Sequence, residues 1–270
     1  MTPFPLTWLY APGDRPHVVT KALAWGADVV VIDLEDAVAP DRKEYARAAT
    51  AERLAEPQRV PVHVRVNALD GPWAAADLTA LATLPGVTGL RLPKVDSAGQ
   101  VRQVAVATAR PLYALLESAL AIEHAYTIAA AHPSLRGISL GESDLRADLG
   151  VRADADLDWP RSRVVVAARA AGLPPPPQSV HPDIRDLDGL AASCARGRAL
   201  GFLGRAAIHP RQLPVIERAY LPTPAELEHA ETIIKAAASD QGAQALPDGR
   251  FVDAAVVAAA RRTLSLARRE

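Results

Sequence analysis

The chain has 270 residues, 49% hydrophobic and 23% charged, the composition of an ordinary globular protein rather than a disordered or fibrous one. Its formal net charge of −1 provides no field to draw nucleic acid or a membrane surface, so neither is expected as a partner. The single cysteine, Cys194, excludes an internal disulfide framework and suits a reducing, cytoplasmic setting; Pro3, Pro5, Pro12 and Pro16 break any signal-like N-terminus, and no apolar run is long enough to span a bilayer.

Short apolar runs predict strands at 6–10, 28–33, 60–66, 87–92, 111–116, 135–140, 179–181 and 203–208. The seventh is short and follows "LPPPPQ", a stiff stretch that cannot lie inside a helix. The eighth is interrupted by Gly201, Gly204 and Arg205. Ala-rich segments with helical spacing lie between and after them, near 16–26, 42–55, 74–83, 97–107, 119–131, 161–171, 186–200 and 210–220. Strand then helix, repeated along the chain, predicts a parallel sheet with helical crossovers. Eight such units over residues 1–220 fit a (β/α)8 TIM barrel, whose usual size is about 250 residues. A doubly wound open sheet is the alternative. Residues 221–270 form a C-terminal helical extension. It comprises a helix at 223–239 with Thr223 as cap and Pro224 in the first turn, a turn-rich loop at 240–253, and a last helix at 254–268. Such an appendage serves as a lid or as an arm to a neighbour.

"VVVIDLEDAV" (29–38) sets three carboxylates, Asp33, Glu35 and Asp36, at the end of an apolar strand. Their mutual repulsion implies a cation nearby. Arg15 follows the first strand, Arg65 and Asn67 the third, Lys94 the fourth, Glu117 the fifth, Asp144 the sixth, His181 the seventh and His209 the eighth. In a barrel these positions share the C-terminal rim, where barrel active sites are built. Each has a plainer reading. Glu117 and Asp144 could serve a helix dipole or a cap, Asp33 could be structural, and Arg65 and Lys94 could be exposed strand ends. The two histidines read as hydrogen-bonded neighbours rather than ligands. Arg15, near a helix start, would suit a phosphate.

"LYAPGDRP", "GADVVVIDLEDAV", "VRVN", "LPKVDS", "LLESALAI", "GESDLRADLG" and "LGFLGRAAIHPRQL" together resemble, in order and spacing, the β subunit of citrate lyase and its stand-alone relatives. These belong to a wider group with the malyl-CoA and citramalyl-CoA lyases and the HpcH/HpaI-type aldolases. The resemblance implies a Mg2+-dependent carbon–carbon lyase on a (β/α)8 barrel, acting on an acyl-CoA and a 2-keto acid such as oxaloacetate. It implies Glu117 and Asp144 as metal ligands, Arg65 as the clamp for the keto-acid carboxylate, and Glu35 and Asp36 near the metal waters. It further implies a homotrimer in which Asp253, from the tail "GRFVD", closes over a neighbour's site as the catalytic base.

The chemistry is coherent. Mg2+ prefers oxygen ligands and keeps several waters, so two carboxylates leave room for a bidentate 2-keto acid. Arg205 stands where relatives usually carry Lys, and Gln178 where they often carry Asp; both bear on substrate more than on reaction type. Three alternatives remain: a Schiff-base aldolase using Lys94, a CoA-independent metal aldolase, and a non-catalytic subunit. The aldolase of that kind uses a histidine after the second strand, and "DLEDAVAPDR" has none. A true citrate lyase also works with α and acyl-carrier γ subunits that this chain does not contain.

Overall fold

The computed structural model describes residues 4–238, 244–245 and 251–267. They divide into two compact units, Leu6–Ala219 and a second that includes residues from Tyr220 onward. No described helix is long and apolar enough to cross a membrane.

The first unit alternates strands and helices in chain order. It runs β1 (Thr7–Pro12), α1 (Pro16–Ala22), β2 (Val29–Asp33), α2 (Lys43–Leu54), β3 (Val62–Arg65), α3 (Ala74–Leu81), β4 (Gly89–Leu92), α4 (Ala98–Thr108) and β5 (Leu112–Leu116). Then come α5 (Ala119–Glu123), α6 (Ala125–Ala129), β6 (Leu135–Leu140), α7 (Glu142–Leu149), α8 (Asp158–Ala170), α9 (Leu187–Leu200), β7 (Arg205–Ala207) and α10 (Leu213–Tyr220). The helix predicted at 119–131 is broken at His124, and α7 was not anticipated. Helix α4 starts where the pattern requires: Ser97 accepts from the Gln100 amide while Gln100 Oε1 accepts from the Ser97 amide, a reciprocal cap.

All seven strands are parallel, in the order β6-β5-β4-β3-β2-β1-β7, a TIM-barrel-like sheet. The expected seventh strand at 179–181 is not one. Only a single parallel bridge, Gln178 to Arg205, occurs there, and the expected eighth strand therefore becomes β7. The four prolines 174–177 have no amide to donate; Pro176 only accepts, from the Leu203 amide at 3.0 Å, and Gln178 is the first residue there that both donates and accepts. Ser179 instead reaches the end of β6 by its side chain, donating to the Leu140 carbonyl at 2.5 Å.

Side chains alternate across the sheet. Val62, Val64, Leu90, Leu92, Leu112, Ala114 and Leu116 are all fully buried. The opposite face carries His63, Arg65, Arg91, Tyr113 and Ser139, with Gly89 and Gly137 between them. Register puts Asp33, Arg65, Arg91, Tyr113 and Gly137 side by side on five consecutive strands.

The second unit contains α11 (Pro224–Ala238), the short pair β8 (Gln244–Ala245) and β9 (Phe251–Val252), and α12 (Ala254–Ala267). Ala230, Ile233, Val252 and Ala260 form its own small core. Much of the predicted 240–253 loop lies outside the described residues.

Candidate active site

A cavity of about 420 Å³ opens at the C-terminal ends of the strands. Asp33, Asp36, Arg65, Glu117 and Asp144 all line it, as do Tyr10, Arg91, Ser139, Gly141, Glu142, Gln178 and Ser179. Five of the expected residues thus converge, drawn from four βα junctions.

The cation implied by the carboxylate cluster is Arg65. Its Nε and Nη2 donate to the two Asp33 oxygens at 2.7 and 2.6 Å, and Nη1 donates to Asp36 at 3.1 Å. Glu35 Oε2 lies 2.9 Å from the same Nη1. Burial works against the Arg65 charge, yet Asp33 outweighs it and the pKa is raised. Asp33 also accepts from the Glu35 and Ala37 amides, which fixes the turn after β2. Asp33 thus holds both Arg65 and the turn.

Lys94 donates to Glu35 Oε1 at 2.5 Å, joining a second cation to the cluster. It does so from a left-handed backbone, φ 52°, which is uncommon for a residue with a Cβ. Burial pulls its ammonium pKa down, but Glu35 more than offsets this and the net shift is upward. Glu35 is itself shifted up, chiefly by burial. Lys43, not singled out from sequence, is buried under the cluster and donates to the Leu34 and Glu35 carbonyls at 2.8 and 2.7 Å.

Glu117 differs from these carboxylates. It is buried, and neither oxygen has a hydrogen-bond partner among the described residues. Burial, then the negative charges of Glu35 and Asp144, push its pKa up to about 8. Gly141, between β6 and α7, makes room for it: a Cβ there would lie 2.6 Å from the Glu117 carboxyl carbon. Asp144 sits in the first turn of α7, whose N-cap is Gly141, so it is not a capping residue. The same turn is held by buried Arg161 of α8, which donates to both Glu142 oxygens at 2.9 and 2.6 Å and to Asp154 at 2.8 and 2.9 Å. Arg161 in turn holds the Asp154 pKa at about 2.

Other expectations fall elsewhere. Asn67 is buried against α3, donating to Asp77 at 2.7 Å. Arg15 is exposed before α1, and His181 and His209 do not line the cavity. His181 faces Asp186 at 3.5 Å; His209 accepts from the Arg211 amide at 3.2 Å. Arg205 and Gln178, the two departures, meet each other at 3.3 Å, with Arg205 also donating to Ser193 at 2.8 Å. Asp253, in the second unit, caps α12 by accepting from the Val256 amide at 2.9 Å. Sequence reading missed Arg91; the signal was a charged residue alternating with Gly89 inside an otherwise apolar strand.

A match to the HpcH/HpaI aldolase/citrate lyase family spans residues 6–210. A (3S)-malyl-CoA thioesterase of Cereibacter sphaeroides is 37% identical over 270 residues, covering 96% of this chain and 93% of its own. The crystal structure of the CitE protein of Mycobacterium tuberculosis, in complex with magnesium, acetoacetate and coenzyme A, is similar with a TM-score of 0.85 and 38% identity. That likeness covers 97% of this chain and 98% of that one. A citrate lyase β subunit of M. tuberculosis complexed with oxaloacetate and magnesium is similar with a TM-score of 0.72 and 38% identity, covering 81% and 97%.

Proposed function

The chain belongs to the HpcH/HpaI aldolase/citrate lyase family, and from that membership we propose that it is a Mg2+-dependent carbon–carbon lyase. It would cleave a 3-hydroxyacyl-CoA of the citryl-CoA kind to acetyl-CoA and a 2-keto acid, or run the reverse condensation. The observation that carries the reading is Glu117. A buried carboxylate with two unpartnered oxygens beside a second carboxylate, Asp144, is a poor arrangement for a protein alone and a good one for a hard cation. No group of three or more His, Cys, Asp or Glu is arranged to hold a metal ion among the described residues, and Mg2+ needs only one or two protein carboxylates besides its waters. When bound, the ion would polarise the keto oxygen, or the matching hydroxyl in cleavage.

The chain's own residues supply the rest. Arg65, pinned by Asp33, presents a fixed guanidinium at the cavity wall to orient a keto-acid carboxylate. Glu35 and Asp36 hold Arg65 and Lys94 in place. Lys94, charged and tied to Glu35, is unsuited to attack a carbonyl as a free amine, which weighs against the Schiff-base alternative. Asp253 is proposed as the base that takes a proton from the acetyl-CoA methyl, contributed by a neighbouring subunit of a homotrimer. Arg15, exposed before α1, is proposed as a contact for a CoA phosphate.

The likeness to a thioesterase favours a second reading, hydrolysis of the thioester in the same cavity. One assay separates them. Citryl-, citramalyl- and malyl-CoA are incubated with the protein, with Mg2+ or with excess chelator. A lyase releases acetyl-CoA with a 2-keto acid; a thioesterase releases free CoA thiol with the intact hydroxy acid. Full turnover in chelator, or no turnover of any ester, would remove the Mg2+-lyase reading.

A further inference from the structure

We propose that Arg91 anchors a second carboxylate of the 2-keto acid, so that the cavity selects a 2-keto dicarboxylate over a monocarboxylate such as pyruvate or glyoxylate. This rests on the lyase reading for the identity of the substrate, and on the geometry of β4 for the site.

Arg65 and Arg91 are register partners on β3 and β4, and both line the cavity. Their circumstances are opposite. Arg65 is committed to Asp33, Glu35 and Asp36. Arg91 is 3% exposed, no hydrogen bond or ion pair joins its guanidinium to any described residue, and its Nε is buried without a partner. Its surroundings are aromatic: the guanidinium lies 5.7 Å from the Tyr113 ring and 6.0 Å from those of Trp8 and Tyr10. Those faces steady a cation but accept no directed N–H bond. Tyr113 is in turn stacked on His63, with ring centroids 4.3 Å apart. Gly89 makes that stack possible, since a Cβ there would come within 3 Å of both rings.

The charges of the cavity show what is left over. Asp33, Glu35 and Asp36 are answered by Arg65 and Lys94, with Lys43 buried beneath them. Glu117 and Asp144 are reserved for a cation. Arg91 alone among these groups lacks an answer, and an unpaired buried guanidinium is retained at a cost unless a ligand supplies the anion. A keto acid with a second carboxylate supplies it. Pyruvate would present a methyl group there and leave the guanidinium dry and unpaired, which is how a site built for a polar group rejects an analogue lacking it.

The test is calorimetric, on the Mg2+-loaded full chain, with oxaloacetate and pyruvate as probes. The wild type should prefer oxaloacetate by about 10- to 100-fold, the range for a charge-assisted hydrogen bond. Arg91→Met should lose that preference, with pyruvate and Mg2+ affinities changed by less than about 3-fold, within the context-dependence of such contacts. Arg91→Lys, which keeps a charge, should retain part of it; this variant also serves if Arg91→Met does not fold. A wild type without the preference, or an Arg91→Lys or Arg91→Met protein with all of it, overturns the proposal. If no acyl-CoA ester is cleaved but the preference stands and depends on Arg91, the lyase reading falls and the dicarboxylate subsite survives.

Discussion

Gly141→Ala adds one methyl group at the point where Glu117 has least room. The Gly141 backbone, φ −99° and ψ 85°, requires no left-handed conformation, so the effect is steric. The new Cβ would lie 2.6 Å from the Glu117 carboxyl carbon and 3.0 Å from Oε1. Unbonded carbons rest about 3.5–4.0 Å apart, so the carboxyl must retreat by about 1 Å. Overpacking of this kind costs about 1–3 kcal/mol. If Glu117 binds the metal, a displacement of that size should weaken Mg2+ and lower turnover by about 100-fold. Urea denaturation in chelator and a Mg2+ titration measure the two effects. The decisive comparison is with Glu117→Ala and the double variant. With the Glu117 side chain gone the added methyl has nothing to strike, so the two substitutions should couple by about 1–2 kcal/mol. Strict additivity would refute the contact. Unchanged Mg2+ affinity in Gly141→Ala would refute Glu117 as a ligand.

Three further outcomes are expected. Glu117 titrates near 8 in the folded protein against an ordinary 4.5, so between these values the native state holds the extra proton and stability falls as pH rises. The loss should total about 3–5 kcal/mol in metal-free protein, and Glu117→Gln should abolish the slope and be more stable at pH 8; an unchanged slope on denaturation in chelator would exclude Glu117 as its source. Arg161→Met strands Glu142, while Asp154 keeps Arg146 at 2.9 Å, and should destabilise by about 3 kcal/mol, read as a lowered urea midpoint, with Arg161→Lys recovering only part because it cannot form the paired contacts. Mixing inactive Asp253→Ala with inactive Glu117→Ala should restore partial activity through hybrid oligomers; demonstrated subunit exchange with no recovery would end the shared-site proposal.

Much of this was legible because the informative residues are local. The apolar runs of β1 to β6 end in charged residues, and parallel pairing alone brings those ends together. The demand for a cation near Asp33, Glu35 and Asp36 could be read from the spacing. That Arg65 would be held by all three could not, since it depends on strands paired across some thirty residues and on side-chain direction. Arg91 escaped notice because strand content masks a single inward charge. The proline run before Gln178 warned of a weak seventh strand, but not that a serine side chain would stand in for a ladder. Helix α7 was hidden because its first turn, "ESDL", carries chemistry and lacks an apolar stripe.

The strand order has a bearing on how the chain comes together. Every ladder but one joins strands consecutive in sequence; the exception ties Thr7 on β1 to Arg205 on β7, nearly the length of the unit away. Contacts between distant segments are the slow ones, because their loops must close first. The stretch from β1 to β6 can therefore assemble by successive short closures, leaving β7 to dock onto an edge already formed. Gln178 and Ser179 lie at that last joint, Gln178 bonded to Gly204 and Ala206 through its backbone and to Arg205 through its side chain, Ser179 to Leu140 through its hydroxyl. The seam that completes the cavity is thus the last to close in this order of assembly, and hydrogen exchange at the Gln178 and Ala206 amides is where its opening would be read.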